Sequence, residues 1–379
     1  MAPFRFDVVA IDPTGARRGS LSTAHGAIET PVFMPVGTYG AVKSLSPEEL
    51  TAAGARIILG NTYHLYLRPG HEVIEQLGGL HRFMGWDGPI LTDSGGFQIF
   101  SLAALRRVTD DGVEFRSHLD GSLHFLSPEK AIEVQRALGS DICMVLDECP
   151  PATAPREALA RAMSRTTSWA IRCKRAFAAE TRESGDGGAL FGIVQGGVEA
   201  DLRLEHVRQI VDIGFHGYAV GGVSVGESPG DIHAIGRLLG PLLPDHAPRY
   251  MMGLGTPRDL IELMGSGFDM FDCVMPTRNA RNGTLFTWSG PLHIRNEAFS
   301  RDPRPIEEGC LCYACARFSR AYLRHLYLSK EILGHRLNTI HNLSFYQSLM
   351  SAARAAIDEG RYAGWRDRAL ERLGRGEAA

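Results

Sequence analysis

Short apolar runs, each followed by a turn and then by a helix-like stretch, recur along the chain and constrain its fold more than any other feature. Such runs are typical of parallel strands, which are covered on both faces. Several stretches between them begin with Ser or Thr, then Pro, then an acidic residue, a pattern typical of helix N-termini. Eight runs have the strand character: residues 32–36, 56–59, 90–92, 142–146, 190–194, 218–220, 250–252 and 268–271.

Eight strand–helix units within 379 residues predict an α/β fold, a (β/α)8 TIM barrel. A doubly wound parallel sheet is the alternative. It is disfavoured because no Gly-x-Gly-x-x-Gly motif follows the first strand. Ahead of that strand, polar and apolar residues alternate, which predicts a small antiparallel sheet at the N-terminus.

The composition, 44% hydrophobic and 22% charged residues, is that of a soluble globular protein. No apolar run reaches the length of a membrane span, so we expect no membrane association. The first residues lack the apolar segment of a secretory signal, which favours a cytoplasmic location. The net charge of −3 argues against non-specific coating of nucleic acid but leaves room for a local basic patch.

Three of the seven cysteines, Cys310, Cys312 and Cys315, lie within six residues of one another. This crowding favours a metal cluster of reduced thiols over a disulfide framework. A fourth ligand must come from elsewhere, and a closed Cys3His set would hold a structural zinc ion. The candidates for that ligand are His325, His335 and His341.

We therefore expect four parts along the chain. They are an N-terminal antiparallel sheet (1–30), the barrel (31–299), an inserted zinc-binding subdomain (300–345) and a C-terminal helix packed on the barrel (346–379). Within the third part, we expect a helix over 319–333 that contains His325, and a second helix that begins at His341.

Polar residues follow several of the predicted strands, where a barrel carries its catalytic groups. Asp93, Asp147, Gln195 and Asp272 lie at four such ends, and glycine pairs accompany them. Two carboxylates beside a flat polar pocket suit glycosidic exchange, because one acts as an ionised nucleophile while the other moves protons. Two arginines after the last strand, three residues apart, are placed to bind phosphates.

Each of these residues also has a purely structural interpretation. An aspartate before a glycine-rich turn often caps a helix, and glycine pairs usually mark turns. Phe97 is of a residue type found more often in a core than in a stacking platform. Convergence at one end of successive strands, not any single residue, therefore favours a functional site.

Taken together, the motifs resemble the tRNA-guanine transglycosylase family in its bacterial form. They follow one another over most of the chain and are highly specific as a set. The matching stretches are Asp93-Ser94-Gly95-Gly96-Phe97-Gln98, Asp147-Glu148-Cys149, Val194-Gln195-Gly196-Gly197, Gly221-Gly222-Val223-Ser224-Val225-Gly226-Glu227, Met252-Gly253, Phe271-Asp272-Cys273-Val274-Met275-Pro276-Thr277-Arg278, and Cys310-x-Cys312-x-x-Cys315 with His341.

The resemblance implies a (β/α)8 barrel with an inserted zinc subdomain. It also implies an activity, the exchange of guanine at the wobble position of certain tRNA anticodons for the 7-deazaguanine preQ1, a step of queuosine biosynthesis. The reaction would be a double displacement through a covalent Asp272–ribose intermediate. The implied partners are such a tRNA, preQ1 and guanine.

By the same resemblance, Asp272 is the nucleophile and Asp93 the general acid/base. Phe97 and Met252 would sandwich the base. The implied substrate-binding residues are Asp93, Phe97, Asp147, Cys149, Gln195, Gly222, Val223 and Met252. The implied contacts to the anticodon-loop backbone are Arg278 and Arg281. The implied zinc ligands are Cys310, Cys312, Cys315 and His341.

Bacterial members of the family act as homodimers in which the second subunit helps to position one tRNA. The resemblance therefore implies a homodimer here. The aromatic side chains of Phe318, Tyr322 and His325 could form such a contact.

The chain departs from the family pattern at two places. Phe97 stands where Tyr is common, which preserves stacking but removes a hydroxyl. Val223-Ser224 replaces the usual Leu-Ala, and Ser224 is also seen in eukaryote-like members that use queuine. Val225 and Cys149 keep the bacterial pattern, which favours preQ1.

Three other functions are alternatives to a preQ1-inserting transglycosylase. They are a queuine-using transglycosylase, a small-molecule nucleoside or glycoside hydrolase, and a non-catalytic partner subunit. The hydrolase leaves the cysteine cluster and the arginines unexplained. The partner subunit is disfavoured because Asp93 and Asp272 are both present.

Overall fold

The computed structural model describes residues 4–102, 106–184 and 188–374. The strands of these residues are β1 (Arg5–Ile11), β2 (Arg17–Thr23), β3 (Gly26–Thr30), β4 (Val32–Gly37), β5 (Ile58–Gly60), β6 (Ile90–Thr92), β7 (Arg106–Val108), β8 (Val113–Arg116), β9 (Leu123–Leu126), β10 (Ile142–Met144), β11 (Ala189–Val194), β12 (Gly217–Val220), β13 (Arg249–Met251), β14 (Met270–Cys273), β15 (Thr284–Thr287) and β16 (Gly290–His293).

Helices cover most of the remaining described residues. The α-helices are α1 (Pro47–Ala52), α2 (Thr62–Leu67), α3 (His71–Gln76), α4 (Gly79–Met84), α5 (Gly96–Leu102), α6 (Pro128–Ala137), α7 (Arg156–Ser184), α8 (Ala200–Ile213), α9 (Pro229–Leu239), α10 (Pro257–Gly265), α11 (Met275–Arg281), α12 (Tyr313–Arg317), α13 (Arg320–Leu328), α14 (Ile332–Asp358) and α15 (Tyr362–Gly374). None of the described helices has the length and apolarity needed to cross a membrane.

Eight parallel strands close into a barrel in the order β4-β5-β6-β10-β11-β12-β13-β14. The closing pair is β14 and β4, with Phe271 opposite Phe33. Each barrel strand coincides with one of the eight apolar runs, so the predicted (β/α)8 barrel is confirmed. The doubly wound alternative is wrong, because the sheet has no free edge.

Three predicted helix starts are confirmed, and the hydrogen bonds show why they lie there. The side chain of Ser46 accepts the backbone N–H of Glu49, whose carboxylate accepts the N–H of Ser46 in return. Ser127 and Thr256 accept in the same way from the third residue of α6 and α10. A proline follows each cap, where its missing N–H costs no hydrogen bond.

The antiparallel sheet β1-β2-β3 at the N-terminus was predicted and is confirmed. A second three-stranded sheet, β7-β8-β9, was not predicted. It rests on α2 through two bonds, Tyr63 Oη to His118 Nδ1 at 2.8 Å and Tyr66 Oη to His124 Nδ1 at 3.0 Å. Its three- and four-residue strands are too short for a periodicity signal in the sequence.

The helix predicted over 319–333 is present and contains His325, but it ends earlier than expected. Helix α13 ends at Leu328, and Lys330 adopts a left-handed φ of 57° that breaks the helical path. Helix α14 then begins at Ile332, so His341 lies inside it and not at its start. The same helix runs through residue 345, where the zinc-binding subdomain was expected to end.

Candidate active site and metal-binding cluster

The predicted site residues meet at the carboxyl-terminal rim of the barrel. Asp93, Asp147, Gln195 and Gly222 follow β6, β10, β11 and β12, while Asp272 is the third residue of β14. The carboxyl ends of parallel barrel strands point to one side, so residues distant in sequence become neighbours. This is the end of the barrel at which the catalytic groups were expected.

Two donors hold one oxygen of Asp272. The Tyr250 hydroxyl donates to Oδ1 at 2.6 Å, and the Gly253 N–H donates to the same oxygen at 2.7 Å. Burial raises the pKa of Asp272, whereas these two hydrogen bonds lower it. Within the described residues, Oδ2 accepts no hydrogen bond from a side chain or backbone. Asp272 is thus oriented through one oxygen, while the other remains available to react.

Four donors hold Asp93. The Asn61 side-chain amide donates to Oδ2 at 2.7 Å, and that of Gln98 donates to the same oxygen at 3.2 Å. The N–H groups of Thr62 and Gly95 donate to Oδ1 at 3.0 and 3.1 Å. These bonds fix both oxygens, so the carboxyl group faces the rim in one orientation.

Burial and, to a smaller extent, the negative charges of Asp272 and Asp147 raise the pKa of Asp93 to about 7, against the opposing effect of the two backbone hydrogen bonds. A group with this pKa both gives and takes a proton readily at neutral pH. Asp93 therefore has the property that a general acid/base needs.

A third carboxylate, Asp147, lies near enough to Asp93 for its charge to affect that residue. It accepts a hydrogen bond from Gln195 Nε2 at 2.6 Å and one from Ser94 Oγ at 3.4 Å. Burial raises the pKa of Asp147 to about 6, so the group is mostly ionised at neutral pH. An ionised, buried carboxylate next to an amide can accept the N–H donors on the edge of a base.

Gly222 must be a glycine for two reasons. Its φ is +62°, which side chains disfavour, and an added Cβ would lie 2.3 Å from Gln195 Oε1. The backbone of the β12 loop therefore lies directly against the amide that contacts Asp147. This close approach brings the three predicted base-reading residues, Asp147, Gln195 and Gly222, together.

The other predicted pocket residues lie around this core. Val223 is completely buried, Met252 is half-buried, and Phe97 is exposed at the start of α5. Burial raises the pKa of the Cys149 thiol to about 12, so it is protonated and unsuited to act as a nucleophile. Their contacts with a base remain predictions.

Arg278 and Arg281 lie on α11, directly after the strand that carries Asp272. Arg281 Nη1 donates to the Thr277 carbonyl at 2.9 Å, and burial with the nearby charge of Arg278 lowers the pKa of Arg281. Neither arginine forms an ion pair with a carboxylate of the described residues. Two such cations are suited to binding an anion such as a phosphate.

The three clustered cysteines meet His341 of α14. Its Nδ1 lies 3.9 Å from Cys310 Sγ, 3.7 Å from Cys312 Sγ and 3.4 Å from Cys315 Sγ. Tetrahedral zinc, with bonds of about 2.3 Å to sulfur and about 2.0 Å to nitrogen, separates such atoms by about 3.5 Å.

His341 Nε2 is hydrogen-bonded to the Phe286 carbonyl at 2.8 Å, which leaves Nδ1 free of its proton for a metal. The four residues therefore fit a closed metal site. His341, and neither His325 nor His335, completes the cluster.

A second group of possible metal ligands, His25, His81 and Asp141, lies at the opposite end of the barrel. Its imidazoles stack 3.5 Å apart at 16°, so the in-plane nitrogen lone pairs of both rings cannot converge on one ion. Asp141 contacts His25 at 2.8 Å and accepts the Ile90 N–H at 2.9 Å. The group ties the β2–β3 turn to the barrel.

Sequence reasoning missed Asn61 and Tyr250, which orient Asp93 and Asp272. Asn61 directly follows β5, and a polar residue at a strand end was the signal that could have identified it. Tyr250 lies inside β13, where its hydroxyl is indistinguishable in sequence from that of any packed tyrosine.

Comparison with known proteins adds an independent line of support. The family model described as queuine tRNA-ribosyltransferase matches residues 12–375. A queuine tRNA-ribosyltransferase of Solidesulfovibrio magneticus is 60% identical over 351 residues, 93% of each chain. One from Symbiobacterium thermophilum is 56% identical over 99% of this chain and 92% of its own. One from Neisseria meningitidis is 55% identical over 95% of this chain and 96% of its own.

Proposed function

The chain belongs to the queuine tRNA-ribosyltransferase family, and from this premise we propose that it exchanges guanine in tRNA for preQ1 through a covalent Asp272–ribose intermediate. The observation that carries the proposal is the pairing of two carboxylates with different properties. Asp272 is held through one oxygen only, and Asp93 has a pKa of about 7. This division matches the two roles that a double displacement needs.

In the first step, Oδ2 of Asp272 attacks C1′ of the wobble nucleotide. The bond from C1′ to the guanine nitrogen breaks, and Asp93 gives its proton to the departing base. Guanine then leaves, and preQ1 enters the same pocket. Asp93 removes a proton from the ring nitrogen of preQ1 as that nitrogen attacks C1′, and Asp272 departs as a carboxylate. Two inversions retain the configuration at C1′.

The pocket recognises the edge of the base by complementary hydrogen bonding. Guanine and 7-deazaguanines carry N–H donors beside a carbonyl oxygen. In this proposal Asp147, which already accepts a hydrogen bond from Gln195, accepts from those donors, and the Gly222 N–H donates to the carbonyl. Phe97 and Met252 would cover the two faces of the ring. The protonated Cys149 and the buried Val223 would complete the wall.

We infer preQ1, rather than queuine, as the incoming base. The inference depends on Val225 and Cys149, which keep the pattern of bacterial members despite the Ser224 substitution. Exchange reactions with the two bases in competition decide between them. Preferential insertion of queuine would contradict this choice of substrate while leaving the chemistry intact.

The Cys3His cluster would hold one Zn²⁺ ion with a structural role. Four protein ligands leave no open position for a substrate or a water molecule. The ion would join α12 to α14, and Asn342 of α14 donates in turn to the Pro276 carbonyl at 2.9 Å. Metal binding thereby supports the helix that carries Arg278 and Arg281, the proposed contacts of the anticodon loop.

A homodimer and a cytoplasmic location, where tRNA is processed, complete the proposal. Phe318 and Tyr322 stack 5.4 Å apart beside the metal cluster, and the side chains of Leu328 and Ile332 are 52% and 80% exposed. Apolar surface of this kind is typical of protein interfaces. The molar mass in solution, measured by light scattering with and without Ile332→Glu, tests the assembly.

Incorporation of labelled guanine into tRNA tests the reaction itself. Asp272→Ala should abolish exchange while tRNA binding persists, and a denaturing gel should show a protein–tRNA adduct for the native chain only. Asp367→Asn is the control and should exchange normally, because Asp367 is an exposed residue of α15 that pairs with its neighbour Arg366. Full exchange by Asp272→Ala would exclude this residue as the nucleophile.

A further inference from the structure

A buried arginine lies beneath the base pocket and does not belong to any predicted role. Arg203, on α8, has no exposed surface. Its guanidinium donates to four backbone carbonyls, one at the end of β11, one in the loop after β11 and two in the loop after β12. The acceptors are Gly197 at 2.7 Å, Val194 at 2.8 Å, Gly221 at 2.8 Å and Gly222 at 3.0 Å.

The charge of Arg203 has no direct counter-ion. No carboxylate of the described residues forms an ion pair with it, and Glu227 is a carboxylate that acts on it only through the longer-range effect of its charge. Burial lowers the pKa of the guanidinium to about 10, so it still carries its charge at neutral pH. A buried, unpaired charge costs free energy that an apolar side chain of similar size would avoid. Filling space is therefore a poor explanation for an arginine at this position.

The geometry of the peptide unit gives these bonds a direction. In a planar trans peptide, the C=O and the N–H of the next residue point in opposite directions. Because Arg203 holds the Gly221 carbonyl, the Gly222 N–H of that peptide points away from α8. The backbone of Gly222 lies near enough to the Cys149 thiol to lower the pKa of that thiol, against the larger effect of burial. Sulfur is a weak acceptor, so a carbonyl oxygen of a base would replace it readily.

We propose that Arg203 is the positioning residue of the base pocket, which aims the Gly222 N–H at the carbonyl oxygen of the bound base. It does not touch the substrate. A charged donor on the Gly221 carbonyl also polarises the peptide and makes the Gly222 N–H a stronger donor. Its other two bonds hold the loop of Gln195 at a fixed distance from that peptide. The inference rests on the proposed function and names a specificity determinant within it.

Paired measurements on two bases isolate this role. Guanine and 6-thioguanine differ only in the acceptor atom, since the thione sulfur accepts hydrogen bonds poorly. The native chain should bind guanine about tenfold more tightly, the usual contribution of a hydrogen bond with a polarised partner. In Arg203→Met, guanine binding should weaken about tenfold while 6-thioguanine binding changes little, so the ratio approaches one. Arg361→Met, an exposed arginine on another face, is the control and should keep the native ratio.

Steady-state kinetics and a conservative variant distinguish a positioning role of Arg203 from a general effect on the stability of the fold. The KM for the incoming base should rise in Arg203→Met with a smaller change in kcat. Arg203→Lys keeps the charge but reaches fewer carbonyls, so it should recover part of the ratio. If the methionine variant does not fold, the lysine variant alone carries the test, and a native ratio in it overturns the proposal.

Equal losses for both bases would also overturn it, because they would show a merely structural role. The proposed function and the proposed role of Arg203 are contradicted by different results. A native chain that binds guanine but does not insert it into tRNA contradicts the proposed function, while the binding ratio still tests Arg203.

Discussion

Replacing Tyr250 with phenylalanine removes a single oxygen from the surroundings of the nucleophile. The Tyr250 hydroxyl donates to Asp272 Oδ1 at 2.6 Å, and this bond lowers the pKa of the carboxyl group against the effect of burial. Because the ring remains, the packing of β13 is preserved. We therefore expect Tyr250→Phe to change the chemistry of Asp272 and to leave the fold intact.

The magnitude follows from the strength of the bond. A hydrogen bond to a charged acceptor contributes about 1.5–3 kcal/mol, and one pKa unit corresponds to about 1.4 kcal/mol. Loss of the hydroxyl should therefore raise the pKa of Asp272 by about one to two units. The nucleophile must be ionised, so the acidic limb of the pH–rate profile should move to higher pH by the same amount.

The assay is incorporation of labelled guanine into tRNA, measured as kcat/KM across the pH range. Tyr362→Phe is the matched control, because Tyr362 is also buried and its hydroxyl donates to the Ile261 carbonyl at 2.6 Å, away from the rim. The control should keep the native profile. A uniform loss of rate at all pH values in Tyr250→Phe, with no shift of the acidic limb, would refute the reasoning.

Three further predictions concern binding and stability. Burial raises the pKa of Asp147 to about 6. If its carboxylate accepts the donors of the base as proposed, guanine affinity measured by calorimetry should fall about tenfold at one pH unit below that value. Asp147→Asn should bind weakly without this pH dependence. Gly222→Ala places a Cβ 2.3 Å from Gln195 Oε1 and should weaken guanine binding more than tenfold, with a loss of stability of about 1–2 kcal/mol; unchanged affinity would contradict the close packing of the two loops. Cys312→Ser should lose about one equivalent of metal in elemental analysis and melt at a lower temperature, since metal binding supplies folding free energy; an unchanged metal content would exclude the cluster as a zinc site.

Much of the fold was predictable because its signals are local. The buried strands form continuous apolar runs, and the caps at Ser46, Ser127 and Thr256 need only the next few residues. The break after α13 was not predictable in this way. Leu323 and Leu326 pack into the cluster around the cysteines, and the left-handed Lys330 turns the chain so that α14 can cross it. That turn depends on tertiary contacts.

The candidate site, like the fold, has features that the sequence predicts and features that it does not. Asp93, Asp147, Gln195 and Asp272 were recognisable because each stands where an apolar run ends. The protonation behaviour of these residues was not recognisable in the sequence. The pKa of about 7 for Asp93 arises from burial and from two other carboxylates that are distant in sequence. The burial of Arg203 could not be predicted from the sequence, because an arginine on an amphipathic helix usually faces solvent.

By itself, the sequence determined the eight barrel strands and their order, the strand ends at which the acidic residues lie, and the three cysteines of the metal cluster. These depend on hydrophobic periodicity and on residue type, which act over a few positions. Only the tertiary structure decided which oxygen of Asp272 is held, which histidine joins the cysteines, and where the charge of Arg203 is buried. Each of these depends on distances between segments that only closure of the barrel and the packing of α14 bring together.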